Sequence, residues 1–128
     1  MSYTGTQADA DLKQDRDALS RYLDANIPNM SGGDQNDMLD AIAQIDTERN
    51  AIAQIAVLDA MDPSGKLFAD VQQATKHVKT AVDNLARTQA TIAKALTIAT
   101  DVLGVAVALH GLNLPNAVSA VTKLKSDL

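Results

Sequence analysis

The 128-residue sequence contains no cysteine and no tryptophan, and its aromatic side chains are those of Tyr3, Tyr22 and Phe68. The absence of cysteine excludes a disulfide framework, thiolate metal sites and thiol chemistry. So few aromatic residues provide no stacking platform for single-stranded nucleic acid. The net charge of −5 also argues against a general nucleic-acid binder, because such proteins carry a basic surface. We therefore expect no nucleic-acid partner.

Residue types that carry catalysis or hold metal ions are scarce as well. Glu48 is the single glutamate, so the Glu-x-x-His pairs of carboxylate di-iron bundles cannot be built. His77 and His110 have no carboxylate at ligand spacing beside them. The acidic stretch 34–40 lacks the spacing and the terminal glutamate of a calcium loop, and the Ser-Gly-Gly at 31–33 lacks the Gly-Lys-Ser/Thr of a phosphate loop. We expect no enzyme activity, no cofactor and no metal site.

The sequence is rich in small apolar residues: 22 positions are alanine, and 31 are Leu, Ile, Val or Phe. This supply supports a single helical domain over residues 1–128. No window contains the ~18 consecutive apolar residues of a membrane-spanning helix, and residues 1–5 lack the pattern of a secretory signal. We expect a soluble protein without a signal peptide, either cytoplasmic or exported by a signal-less route.

Charge is divided unevenly between the two halves of the chain. Residues 1–64 hold twelve acids and four bases, a sum of −8, whereas residues 65–128 hold four acids and seven bases, a sum of +3. The simpler interpretation is that the acidic half folds back onto the basic half. The alternative is that the basic half faces an anionic surface, such as a membrane, while the acidic half faces water.

Proline and glycine mark three breaks, at residues 27–33, 62–65 and 111–115. The stretches between them have helical periodicity, and none alternates as a strand does. We predict an all-α protein with helices at about 7–25, 34–61, 66–110 and 115–125. The Asp-Pro-Ser-Gly at 62–65 matches a type I turn, which would join the second and third helices as an antiparallel hairpin.

The predicted third helix is the longest element. From 66 to 110 the sequence has no proline, and apolar residues follow a four-three spacing from Leu67 to Leu109. A 3.5-residue period held over six heptads is typical of a left-handed coiled coil. We therefore predict an elongated bundle built on an antiparallel coiled-coil hairpin, with one central helix ~67 Å long against ~42 Å for helix 34–61. A break near residues 88–91 or a bend at Gly104 is the alternative.

The difference in length would leave the end of the third helix uncovered. There the sequence is apolar around the whole helix, so it must be buried on every side. The last helix can cover one side with Leu114, Val118, Val121 and Leu124. The simplest interpretation of the hairpin 95–122 is that it is core and completes the bundle. The alternative is an interface or membrane surface, here called the C-terminal patch, which consists of Leu96, Ile98, Val102, Leu103, Val105, Val107, Leu109, Leu112 and Leu114.

These features predict a non-enzymatic protein that acts by protein–protein association, as an assembly, adaptor or neutralising partner. Self-association into a homo-oligomer is expected. The alternative is a membrane-active helical protein, a toxin component or lipid-surface binder, that uses the hairpin 95–122 on anionic membranes. Asp101 opposes deep insertion, because a lone carboxylate in lipid costs several kcal/mol. The alanine-rich composition, with more Asp than Glu, is typical of small bacterial accessory proteins.

Overall fold

The computed structural model describes residues 3–56, 58, 61–85 and 89–128, and of residues 89 and 90 it describes the backbone only. Five α-helices account for most of these residues, and the described ranges contain no strand: α1 Gly5–Asn26, α2 Gly32–Ala53, α3 Lys66–Asp83, α4 Gln89–His110 and α5 Leu114–Asp127. A short 3-10 helix, Ile27–Asn29, follows α1. The predicted all-α class is confirmed.

Short polar side chains set the starts of the helices. The Thr4 hydroxyl accepts the Gln7 N–H at 3.2 Å while the Gln7 side chain accepts the Thr4 N–H at 2.9 Å, so α1 begins two residues before its predicted start. The Ser31 hydroxyl accepts the Asp34 N–H at 3.1 Å, so Ser31 rather than Asp34 caps α2. Asn113 caps α5 in the same way.

The predicted helix 34–61 ends early, at Ala53. The backbone beyond it binds the N-terminal segment instead: the Gly5 N–H donates to the Ile55 carbonyl at 2.9 Å, and the Leu58 N–H donates to the Tyr3 carbonyl at 2.8 Å. These bonds replace helical ones, so the peptide groups stay satisfied. Glycine is required at position 5, because a Cβ there would lie 2.0 Å from the Ile52 carbonyl oxygen. Residues 57, 59 and 60 of the predicted helix lie outside the described residues.

The single long helix 66–110 is not confirmed, because the structure has two helices there. Helix α3 ends at Asp83, with Asn84 as its C-cap, and α4 begins at Gln89. The alternative break was predicted near residues 88–91; residue 88 lies outside the described residues, as do 86 and 87, and residues 89–91 belong to α4. In α3 the buried positions include Leu67, Val71, Val78 and Val82, whereas Ala81 of the predicted seam is only partly buried. This drift is that of a straight 3.6-residue helix rather than a 3.5-residue supercoil.

The helices pack as a closed ring in the order α2, α1, α3, α5, α4 and back to α2, and α1 also contacts α4. The predicted α2–α3 hairpin is therefore corrected, because α1 lies between these helices. The turn at 62–65 does form, with the Gly65 N–H donating to the Asp62 carbonyl at 3.0 Å. It follows an irregular connection that carries the chain across to the other side of α1. One hydrophobic core includes residues of all five helices.

The ring also removes the predicted difference in helix length. Helices α2 and α4 have 22 residues each and lie side by side. No long helix end projects beyond its neighbours within the described part of the chain. A short helix can be covered by several neighbours at once, which a 67 Å helix cannot achieve in a chain of this size.

Ion pairs do little to join the acidic half of the chain to the basic half. Among the described pairs, two cross between them: Arg21 with Asp83 at 3.3 Å, and Glu48 with His110 at 2.6 Å. The first joins a base of the acidic half to an acid of the basic half, which is opposite to the predicted pairing. The Arg49–Asp9 pair and the Lys125–Asp70 pair each lie within one half. Apolar packing, rather than complementary charge, brings the halves together.

Candidate functional site

The structure divides the C-terminal patch into three groups by exposure. Ile98, Val102, Val105 and Leu109 are buried in the core. Leu96, Leu103 and Leu114 are partly buried and pack against that core. Val107 and Leu112 remain exposed, at 51 % and 52 % of their surface. The structure therefore does not present the nine residues as one surface, and most of the predicted patch serves to hold α4 in the bundle.

A different set of residues lines the surface between α4 and α5. Thr100, Gly104, Val107 and Gly111 are exposed, and their spacing of four, three and four places them along one stripe of α4. With the facing residues of α5 they form an open groove of about 710 Å³, here called the outer groove. Its lining consists of Thr100, Leu103, Gly104, Val107, Ala108, Gly111, Asn113, Asn116 and Ser119.

No residue of the outer groove carries a formal charge. Two of its polar side chains have local partners: the Asn113 side chain accepts the Asn116 N–H at 3.0 Å, and the Thr100 hydroxyl donates to the Leu96 carbonyl at 3.0 Å. Such a surface offers shape and apolar contact rather than a nucleophile, a base or a set of metal ligands. Among the described residues, no three His, Asp or Glu side chains come together as a metal site.

Gly104 is the least expected residue of the outer groove. A glycine within a helix costs about 0.5–1 kcal/mol relative to alanine. Its φ is not positive, and a Cβ at this position would meet no atom of the chain within 4 Å. Packing within the chain therefore does not require a glycine, in contrast to Gly5. A flat surface at this point becomes useful only when another molecule approaches α4 closely.

Val118 was predicted to pack inward with the rest of α5, but it is 47 % exposed. Ala117, Val121 and Leu124 form the buried face of α5 instead. Val107, Leu112 and Val118 thus make three exposed large apolar side chains on one hairpin. The described structure exposes only two others, Ile27 and Leu39. The sequence did not reveal this, since an apolar helix end has the same pattern whether its neighbours cover it or not.

Asp101 lies on α4 in a smaller hollow of about 290 Å³ that adjoins the outer groove at Thr100. Its side chain is 2 % exposed, and one carboxylate oxygen accepts from the Lys123 Nζ of α5 at 2.7 Å. Lys123 also binds Asp127, at 3.0 Å. Burial raises the pKa of Asp101, a hydrogen bond with Asp127 raises it further, and Lys123 lowers it. The same hydrogen bond lowers the pKa of Asp127, so Asp101 is the member of the pair that holds a proton more readily.

A second buried carboxyl, that of Asp15 on α1, was missed by the sequence reasoning. It is 1 % exposed, and among the described atoms its Oδ1 has no partner. Burial raises its pKa well above the usual range, and the charge of Asp11 adds to this, while a hydrogen bond with Thr75 opposes it. The space beside Asp15 has no room for a water molecule, so it is no ligand site. Its place in the stripe Ala8, Leu12, Asp15, Leu19 could have revealed it.

The two histidines lie at the surface. His110 is the last residue of α4, as its predicted position at a helix C-terminus requires, and it contacts Glu48 of α2 at 2.6 Å. His77 is exposed on α3. Four lysines of helices α3 and α4 are also exposed, at positions 66, 76, 79 and 94. Arg87 lies outside the described residues. Neither histidine has the surroundings of a catalytic base.

Helix α4 also has the length and composition of a membrane span. The span Thr91–His110 has a mean hydropathy of 1.8, and 56 % of its 18-residue apolar window is buried inside the fold. The core helix of a water-soluble bundle passes the same test, so this finding alone separates neither class of protein. In comparisons with known proteins, no protein-family model, no curated protein and no solved structure matches the chain.

Proposed function

We propose that this is a non-enzymatic helical protein that acts by binding another protein through the outer face of the α4–α5 hairpin. The observations that carry the proposal are the uncharged lining of this groove, in which Val107 is half exposed, and the exposure of Leu112 and Val118 elsewhere on the same hairpin. Clustered exposed apolar side chains mark association sites on monomers, whereas single ones carry no such meaning. An assembly, adaptor or neutralising role fits a surface that binds but holds no reactive group.

The contact would resemble other helix-in-groove recognition. The outer groove runs between two antiparallel helices, and a partner helix that lies in it would bury the Val107 side chain. Small residues on its floor allow the two backbones to approach closely. Because the groove has no charge, specificity would come from shape and from the amides of Asn113 and Asn116.

Site-specific photocrosslinking in the native cell tests this proposal. A photoreactive amino acid replaces Val107 in one variant and Leu39 in a control, since both side chains are about half exposed, at 51 % and 52 %. We expect a discrete protein adduct from position 107 and none from position 39. The variant Gly104→Lys, which places a charge in the groove, should remove the adduct. Absence of adducts at 107, 112 and 118 contradicts the proposal.

Lipid binding is the second candidate, and the apolar span Thr91–His110 favours it. At about 1.5 Å per residue this helix is ~30 Å long, which equals the thickness of the bilayer hydrocarbon core. Lys94 and Lys123 would lie near the headgroups. Asp101 stands in the way, since its carboxylate and its ion pair with Lys123 would have to enter lipid or separate.

Vesicle flotation tests the second candidate. If it is correct, the chain floats with vesicles of phosphatidylcholine and phosphatidylglycerol, and Asp101→Asn increases the bound fraction because it removes the carboxylate. Asp127→Asn is the matched control, since Asp127 contacts the same lysine but is more exposed. A chain that stays at the bottom of the gradient, with both variants, removes lipid binding and leaves the protein-association proposal unaffected.

A further inference from the structure

The outer groove has a ridge beside a trough, both made by α4. Val107 forms the ridge, and it is half exposed. Gly104, Ala108 and Gly111 lie on either side of it and have little or no side chain to fill the trough. A surface that has both a ridge and a trough can pack against a copy of itself about a twofold axis, so that the ridge of each copy lies in the trough of the other. The surface is therefore self-complementary in shape.

The lack of charge on this face favours a second copy there over contact through the acidic helices α1 and α2. Each chain has a net charge of −5, so two copies repel each other at long range. Most of the acids belong to residues 1–64, which form α1 and α2, whereas the outer groove belongs to the half with a sum of +3. The groove itself has no charged lining, and the nearest charges, Asp101 and Lys123, are paired with each other. Two copies can meet here without burying an unpaired charge.

The size of the surface sets the expected strength of the contact. From Thr100 to Gly111 the groove extends for about 17 Å along α4, and two packed helices are about 20 Å wide. Such a footprint lies at the lower end of specific interfaces, near those of transient complexes. A dimer through this face would therefore depend on concentration and exchange with monomer, unlike an obligate dimer whose subunits fold together.

We propose that the occupant of the outer groove is a second copy of this chain, packed about a twofold axis near Gly104 so that each Val107 lies in the partner's trough. This inference rests on the proposed function, because it names the partner of the same face. This packing explains the glycine in the middle of α4, which the fold of the single chain does not require. The two helices would cross near Gly104, where neither has a side chain.

Sedimentation velocity from about 1 µM to about 500 µM tests the inference, a range that covers micromolar affinities. We expect the dimer fraction of the wild-type chain to rise across this range. Val107→Lys places two like charges near the axis and should raise the dimer dissociation constant at least about tenfold. Leu39→Lys is the matched control, since Leu39 is equally exposed on α2, and it should leave the constant within about twofold.

Gly104→Leu separates an interface from a merely structural role. A leucine favours the helix more than glycine does, so the melting temperature should rise by about 3–5 °C while the dimer weakens. A structural glycine would instead give a lower melting temperature. Circular dichroism of each variant confirms that the helices persist.

Two results overturn the inference. One is a chain that stays monomeric at about 500 µM. The other is a dimer that Val107→Lys and Gly104→Leu leave unchanged, since it would use another face. After either result, the proposed function still holds if position 107 crosslinks to a protein other than this chain. If position 107 gives no adduct with any protein and no dimer forms, the inference and the proposed function fail together.

Discussion

Helices α3 and α4 come from one stretch of sequence with a continuous apolar period, yet they have different outer faces. Helix α3 buries Leu67, Val71 and Val78 and exposes Lys76 and Lys79 to solvent. Helix α4 buries an equally apolar face, but its exposed positions from Thr97 to Val107 are uncharged and include Gly104. The inner faces obey the same packing rule. The outer face of α3 is typical of a surface in contact with water, whereas that of α4 around Gly104 is not.

The largest expected effects concern the inner faces, and they should be equal in the two helices. Leu67→Ala in α3 and Leu109→Ala in α4 each remove a side chain that is at most 2 % exposed. We expect each to lower the free energy of unfolding by about 3 kcal/mol, since each leaves a cavity in the core. Urea denaturation followed by circular dichroism measures both. A much smaller loss at Leu109 would show that α4 is a loosely attached helix and would break the comparison.

The next largest effect is the pH dependence of the free energy of unfolding, which comes from two buried carboxyls. That of Asp15 faces α3, and that of Asp101 lies on α4. Burial raises the pKa of Asp15 and of Asp101. An aspartate in the unfolded chain has a pKa near 3.9, so above that pH the folded state retains protons that the unfolded state releases. The free energy of unfolding should therefore fall as the pH rises above about 4, until the pH exceeds the raised pKa of each folded-state carboxyl.

Substitutions distinguish the two carboxyls in this pH experiment. Asp15→Asn should remove more of the pH dependence than Asp101→Asn, because Lys123 offsets the burial of Asp101 and no cation contacts Asp15 among the described residues. The lowered pKa values of Asp17 and Asp62 act in the opposite direction, but their contribution is lost only as the pH falls below about 4. Equal slopes for wild type and Asp15→Asn would contradict the assignment.

The smallest effects concern the outer faces, where the two helices should differ in the size of the effect. Gly104→Ala on α4 should raise the free energy of unfolding by about 0.5–1 kcal/mol, because a Cβ there meets nothing and alanine favours the helix. Lys79→Ala on α3 should change it by less than about 0.5 kcal/mol, as is usual for a solvated position. Thermal unfolding at low protein concentration measures the monomer alone. A loss at Gly104→Ala would mean that the glycine serves the fold.

Local signals in the sequence predicted much of the fold. The turn at 62–65 and the C-terminus of α4 at His110 follow from the residues at those positions. Ile42, Ile45 and Ile52 of the second helix were predicted to be buried and are. Leu58 is also fully buried, although its segment is not helical. Apolar spacing predicts burial even where the backbone departs from the helix.

The candidate site was less predictable. The sequence identified the hairpin but not which of its side chains are exposed, and it assigned Val118 to the wrong face. Gly104 was read as a possible bend, whereas it continues α4 and lines the outer groove. Asp15 was not singled out, although its spacing from Leu12 and Leu19 places it on the apolar face of α1. The exposure of a side chain depends on neighbours that are distant in sequence, and the apolar period of a helix does not identify them.

The sequence by itself determined the helical class, the apolar faces and most turns, because capping, periodicity and turn chemistry act over a few residues. Only the tertiary structure decided that 34–61 ends at Ala53 and that 66–110 forms two helices. It also decided that α1 separates α2 from α3. The reason is competition: the Ile55 carbonyl and the Leu58 N–H bind the N-terminal segment rather than helical partners, and two short helices can be covered where one long helix would remain exposed.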